Sequence, residues 1–263
     1  MPTSTKRISH DSTLLTRREL EIITRSDLHY PLAVAEKDYV LAIVSRIIFH
    51  SSLKSKLIFK GGTALHHCYL PQLRFSEDLD FTSTDKAITV KEVRNVLVPY
   101  DFLTVQKEFS PTSSVKLERI QYRGPLGFPN FFKLEIDRLQ NVILPPKEMP
   151  YNNAWNIKTK VRVMDITEIC AEKIRAMSDR ARYRDFYDFF MIRQHYPIKI
   201  EKIIDLVKRK EIRRQIRKSS ILQHWDLVHP LAEREAQTIY FSKAPPKKEI
   251  TALIKQLPFA SIG

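Results

Sequence analysis

The strongest constraint on this chain is the order of residues between Leu57 and Phe81. An apolar strand pattern, Leu57-Ile58-Phe59, runs into Lys60-Gly61-Gly62-Thr63. Thr63 to about Leu70 then reads as a helix stopped by Pro71, since proline lacks the amide a helix interior needs. Asp78-Leu79-Asp80-Phe81 follows with strand alternation, which sends Leu79 and Phe81 to one face and Asp78 and Asp80 to the other. Glycines between strand and helix let backbone approach a phosphate closely. The helix N-terminus would add free N–H groups and a dipole, and Thr63 its hydroxyl. Two carboxylates on one rigid face suit a hard divalent cation. Singly these features are commonplace, because most Gly-Gly pairs are turns and most strand carboxylates are solvated. Their order carries the information.

The flanking chain supplies the frame. Tyr39, Val40, Ile43, Val44, Ile47 and Ile48 recur at helical spacing, so Ala35 to His50 reads as a helix with a buried face. The polar first dozen residues are expected to fray. Val90 to Val98 reads as a helix ended by Pro99, followed by strand-like runs at Phe102 to Phe109, Ser114 to Tyr122 and Phe131 to Leu139. In the third run, Leu134 and Ile136 alternate with Glu135 and Asp137. Pro145, Pro146 and Pro150 mark a connector, and beyond Val161-Arg162-Val163 the pattern is helical to the end. No internal repeat is evident. The expected class is α/β (α+β): a core with a mixed sheet over residues 1–150, then a basic, mainly helical part over 151–263, changing over between Leu144 and Asp165.

Composition narrows the partners. Lys and Arg number 44 against 30 for Asp and Glu, a net charge of +14, and such a surplus attracts polyanions at long range. Cys68 and Cys170 are too few for a disulfide framework or a zinc site. The richest apolar stretch, Val40 to Phe49, is interrupted by Ser45 and Arg46 and too short to span a bilayer. A cytoplasmic protein without membrane partners is the expectation.

The ordered elements point to nucleotidyl transfer, which depends on charge neutralisation and positioning more than on covalent catalysis. Strand, Gly-Gly, helix, Asp-apolar-Asp-apolar and a later strand carboxylate form the signature of the polymerase-beta-like nucleotidyltransferase core. The stretch KGGTALHHCYLPQLRFSEDLDF, Lys60 to Phe81, closely resembles the first motif of the AbiEii/AbiGii toxin family. Glu36-Lys37-Asp38-Tyr39-Val40-Leu41, Ala171-Glu172-Lys173-Ile174-Arg175-Ala176 and Arg184-Asp185-Phe186-Tyr187-Asp188 are similar to that family too. The resemblance implies a toxin of a toxin–antitoxin or abortive-infection system. It also implies a neighbouring-gene antitoxin that need not bind directly, and transfer of nucleotides from NTP to the 3′ acceptor end of tRNA with Mg²⁺ or Mn²⁺. By position, Lys60, Gly61, Gly62 and Thr63 match the phosphate-binding turn, and Ser76, Asp78 and Asp80 the catalytic core. Asp78 and Asp80 are metal ligands there, with Glu135 or Asp137 as the third carboxylate. Lys173 matches a triphosphate-binding lysine, and Asp185 and Asp188 the last acidic motif.

Other residues carry less. Arg74 reads equally as a phosphate contact or a surface arginine. His66, His67 and Cys68 are adjacent on a predicted helix and read as core and helix surface. Arg180 and Arg182 flank the Lys173 motif. Lys208, Arg209, Lys210, Arg213, Arg214, Arg217 and Lys218 are opposed only by Asp205 and Glu211 and, as one helix, would form a basic stripe for RNA. Two other functions stand beside RNA-directed transfer: transfer onto protein hydroxyls or a small molecule, and nucleic-acid binding without catalysis.

Overall fold

The computed structural model describes residues 14–28, 30–210, 212–241 and 244–263; the start of the chain, expected to fray, and Glu211 lie outside them. Helix α1 (Arg17–Asp27) begins at a capping box in which Thr16 and Glu19 satisfy each other's amides. Helix α2 (Leu32–Phe49) is apolar on nearly all sides because it is enclosed on nearly all sides. Its buried acids have fixed partners. Glu36 accepts from the Leu126 amide at 2.6 Å, and Asp38 accepts from Gln72 Nε2 at 2.7 Å and Trp155 Nε1 at 2.8 Å. The family-like segment around Asp38 is therefore a tie between distant parts of the chain.

Seven strands form one mixed sheet: β1 (Leu57–Lys60), β2 (Asp78–Ser83), β3 (Leu103–Phe109), β4 (Ser114–Arg123), β5 (Pro129–Asp137), β6 (Lys147–Pro150) and β7 (Lys160–Val163). Their order is β3-β4-β5-β2-β1-β7-β6. The β2–β5 and β1–β7 pairs are parallel and the others antiparallel. On one face Leu57, Phe59, Leu79, Phe81, Leu117, Leu134 and Ile136 pack with α2 and α4 (Val90–Leu97). The Phe59 and Phe81 rings stack at 5.1 Å. On the other face Ile58 joins a second apolar cluster with α5 (Ile166–Asp179) and α6 (Tyr183–His195). β7 lies beyond residue 150 yet belongs to the sheet, and helices take over at Ile166.

Three local expectations change. The helix after the glycines is one turn, α3 (Gly61–Ala64), running into a π turn, Leu65–Tyr69, closed by the Leu70 amide donating to Leu65 O at 2.9 Å. This wider turn puts His66, His67 and Cys68 all in the interior, so none is helix surface. The C-terminal part is not helical throughout, since β8 (Ile216–Arg217) and β9 (Ser261–Ile262) pair as a ribbon. The basic run is not one helix either. Helix α7 (Ile200–Arg209) ends at its second cation, and α8 (Lys218–Val228) begins only at its last. Two short helices, α9 (Ala232–Ile239) and α10 (Lys247–Lys255), complete the chain.

Lys210 explains the break. Its side chain is buried between two acids of α5, pairing with Glu168 and, at 3.1 Å, with Glu172. Glu168 also accepts from the Ile143 and Leu144 amides, each at 3.0 Å, so the connector is fastened to the same pair. Burial would raise the Glu172 carboxyl, but Lys60, Lys210 and Arg175 together hold it down at about 2. Lys210 is thus a counter-ion of the interior and not part of a solvated stripe. Lys210→Ala leaves two buried carboxylates short of a cation and should cost about 3–5 kcal/mol, measured by urea unfolding. Exposed Lys208→Ala should leave the midpoint in place, and equal effects would contradict this role.

Candidate active site

The turn after β1 is shaped for its own neighbours. Gly61 has φ +76°, and a Cβ there would stand 2.5 Å from Asp80 Oδ2. A Cβ on Gly62 would stand 2.6 Å from Arg74 Nη2 and 2.7 Å from Ser76 Oγ. Both glycines are required by packing of the protein on itself. Thr63 is fully buried and donates its hydroxyl to the Asp78 carbonyl, which clamps the turn to β2. That hydroxyl is engaged inside the protein. With α3 only one turn long, the helix dipole contributes little, and the positive potential comes from side chains.

Strand register places the carboxylates. Lys60 lies opposite Asp80, Asp80 opposite Glu135, and Glu135 opposite Lys116, so one row crosses four strands on the face away from α2. Asp137 is a step further along, opposite Thr82. Its Oδ1 accepts from the Leu139 and Gln140 amides and lies 3.7 Å from Arg213 Nη2. Glu135 meets Lys116 at 3.0 Å and stays 46% exposed. Burial, then the charges of Asp80 and Glu77, push the Asp78 carboxyl up to about 6. Burial, with Glu135 adding to it, also raises Asp80, against the pull of Lys60, Arg184 and Lys173. Among the described residues no three His, Cys, Asp or Glu side chains are drawn tightly enough together to hold a metal ion as they stand. The donor set nevertheless fits a hard divalent cation: two half-buried, mutually repelling carboxylates beside a glycine turn, with Glu135 next in register.

The opposite wall is cationic. A cleft of about 580 Å³ runs between the open sheet face and α5–α6, lined by Asp78, Asp80, Glu135, Lys173, Arg180 and Arg182 among others. Lys60, Arg175 and Arg184 also line it. Lys173 Nζ sits 3.1 Å from Asp185 Oδ1 and 2.6 Å from Asp188 Oδ2. Asp185 also accepts from Arg180 Nε at 2.9 Å. Asp188 is fully buried and is held by a two-pronged Arg74 guanidinium, at 2.7 Å on each oxygen, and by His66 Nε2 at 3.1 Å. Burial would raise Asp188, yet Arg74 and Lys173 keep it well below the usual carboxylate range. Burial drops His66 to about 4, so its ring is neutral and Nε2–H donates.

Several sequence readings are thereby revised. Arg74 is neither a phosphate contact nor a surface arginine, but the buried counter-ion of Asp188. Asp185 and Asp188, the last acidic motif, pair with Lys173, Arg180 and Arg74. His66 completes the cluster unforeseen. The local sequence carried no signal for either residue: the partner of Arg74 lies 114 residues later, and His66 stands beside a second histidine. Of the C-terminal cations Lys208, Arg209, Arg213, Arg214 and Arg217, none lines the cleft. Lys208, Arg209, Arg214 and Arg217 lie exposed at the surface, Arg209 pairing with Asp205, and Arg213 lies 3.7 Å from Asp137 at the rim. A larger cavity of about 770 Å³ opens behind the π turn, but its aromatic and amide lining holds no comparable charge array.

No curated protein sequence matches the chain. The fold is similar to that of MenT4, a nucleotidyltransferase toxin of Mycobacterium tuberculosis H37Rv, at 24% identity and TM-score 0.61, over 81% of this chain and 72% of that one. It is also similar to a protein from H. pylori described as a nucleotidyltransferase, at 18% identity and TM-score 0.54, over 87% and 97%. The family model for the nucleotidyl transferase AbiEii toxin of type IV toxin–antitoxin systems matches residues 42–261. The chain belongs to the AbiEii family of nucleotidyltransferase toxins.

Proposed function

We propose that this toxin transfers a nucleotide from an NTP to the 3′ hydroxyl of RNA, with the acceptor end of tRNA as target. The supporting observation is the two-walled cleft, with carboxylates of the sheet facing cations of α5–α6. The net charge of +14 favours a polyanionic acceptor over a small molecule. Asp78, Asp80 and Glu135 are the residues that would hold Mg²⁺ or Mn²⁺; Asp137 is already engaged by two amides. A bound divalent ion would neutralise phosphate charge and favour ionisation of the attacking hydroxyl. Lys60, Lys173 and Arg180, with Arg182 and Arg184, receive the triphosphate.

With the phosphates so held, the 3′ oxygen bonds to the α-phosphorus in line. The bond from that phosphorus to the bridging oxygen breaks, and pyrophosphate leaves toward the cationic wall. The hydroxyl proton passes to Glu135, the half-exposed carboxylate of the row that Lys116 pairs. Asp188, Arg74 and His66 do not touch substrate in this scheme; they fix the position of Lys173. The family implies an antitoxin partner, which we take to be the product of a neighbouring gene, with no direct complex required. No helix among the described residues is long and apolar enough to cross a membrane, in keeping with action in the cytoplasm.

The reading is tested by incubating the protein with each labelled NTP, Mg²⁺ and total tRNA. Label should appear at RNA 3′ ends with native protein and vanish with Asp80→Asn, which keeps the side-chain shape. Label on protein or on a small molecule would overturn it. A second expectation follows from Asp78. Its folded value, about 6, lies above the ordinary 3.8. The stability it contributes is therefore complete below 3.8 and lost as pH rises through 6. Millimolar Mg²⁺ or Mn²⁺ should raise the thermal midpoint at pH 7.5, where Asp78 is charged, and hardly at pH 5, where it is mostly protonated. An equal rise at both values would contradict cation binding by Asp78 and Asp80.

A further inference from the structure

The open face of the sheet does not end at the carboxylates. The row Lys60–Asp80–Glu135–Lys116 continues onto β3, where Phe109 lies opposite Lys116. Along β4 the alternation is strict except at the bulge between Leu117 and Ile120. Val115, Leu117, Ile120 and Tyr122 are completely buried on the α2 side, which turns Lys116, Arg119, Gln121 and Arg123 outward. On β5, Phe132 and Leu134 point in, while Phe131, Lys133 and Glu135 share the outer face. Glu108 is turned away and meets Arg94. The outer face beyond Glu135 thus carries Lys107, Lys116, Arg119, Arg123 and Lys133 against a single acid, Glu118, which lies 3.7 Å from Lys133.

Two rings on this surface are capped by cations. The Arg119 guanidinium lies 3.9 Å from the centre of Phe131, and Lys107 Nζ lies 5.0 Å from that of Phe109. Phe109 is 46% exposed. A groove of positive charge with aromatic faces is the chemistry that holds unpaired nucleotides, whose bases stack while their phosphates are neutralised. Strands lie about 4.8 Å apart, so Phe109 stands roughly 14 Å across the sheet from Asp80. Phe131 stands about 13 Å from Glu135 along β5. Either distance spans a few nucleotides.

We propose that the β3–β4–β5 face binds the unpaired 3′-terminal nucleotides of the RNA acceptor and delivers the last hydroxyl to Asp80 and Glu135. This rests on the RNA reading above and names the surface that reads the acceptor. Bases stack on Phe131 and Phe109, and phosphates meet Arg119, Lys116, Lys133 and Arg123. The acceptor must then be single-stranded at its 3′ end. The C-terminal cations, outside the cleft, supply only long-range attraction.

The test is equilibrium binding of two fluorescent RNAs, a short single-stranded oligonucleotide with a free 3′ end and a fully paired hairpin without overhang. The native protein should prefer the single strand. Phe131→Ala should weaken that binding about ten- to a hundred-fold, Phe131→Trp should restore it, and NTP affinity should not move. Exposed Arg119→Ala, which cannot disturb the core, should weaken it and flatten its salt dependence. The proposal is overturned if Arg119→Ala and Phe131→Ala, at native thermal midpoints, bind the single strand as tightly as native protein does. It is equally overturned if native protein prefers the blunt hairpin. A native protein that binds neither RNA and labels a protein instead overturns the RNA reading itself, a result distinct from unaffected variants.

Discussion

The arrangement of this molecule depends on one buried carboxylate. Asp188 is completely enclosed, and its two oxygens are shared by Arg74 from the segment before β2, Lys173 from α5 and His66 from the π turn. These come from three separate parts of the chain. A buried charge left unpaired is costly, so the ion can exist only when all three arrive. The sheet half and the helical half are thereby docked in one register, which sets the width of the cleft between them. Asp185 extends the cluster to Arg180 on the cleft wall.

The consequence for chemistry is a division of labour. The sheet face presents oxygen donors whose carboxyls are raised by burial and by neighbouring negative charge. The helical face presents fixed cations. Lys173 is only 10% exposed and already paired, so little of its freedom remains to be lost when a phosphate arrives. Such preorganisation matters most in transfers where charge, not covalent rearrangement, dominates the barrier.

Much of this was legible in the sequence because it is local. The alternation of Asp78-Leu79-Asp80-Phe81 and of Leu134-Glu135-Ile136-Asp137 assigns faces directly, and the glycine pair marks the turn. What escaped was non-local. Nothing near Arg74 announces a helix more than a hundred residues later, and Lys210 looks like one more member of a basic run until Glu168 and Glu172 are seen on either side of it. Charge density along a chain does not distinguish a solvated stripe from an interior counter-ion. The π turn was likewise hidden, since its sequence reads as an ordinary helix and only the Leu70 amide bonded to Leu65 O reveals it. The bulge in β4 and the cations over Phe109 and Phe131 needed register as well as sequence.

The central claim is that Lys173, held by Asp185 and Asp188, receives the β- and γ-phosphates of the nucleotide. Calorimetric titration of an NTP and the corresponding nucleoside monophosphate into native and Lys173→Met protein tests it, methionine keeping the volume while removing the charge. The account predicts at least a tenfold loss in triphosphate affinity, with monophosphate affinity unchanged. Equal losses for both ligands, or none for either in a folded variant, would contradict it.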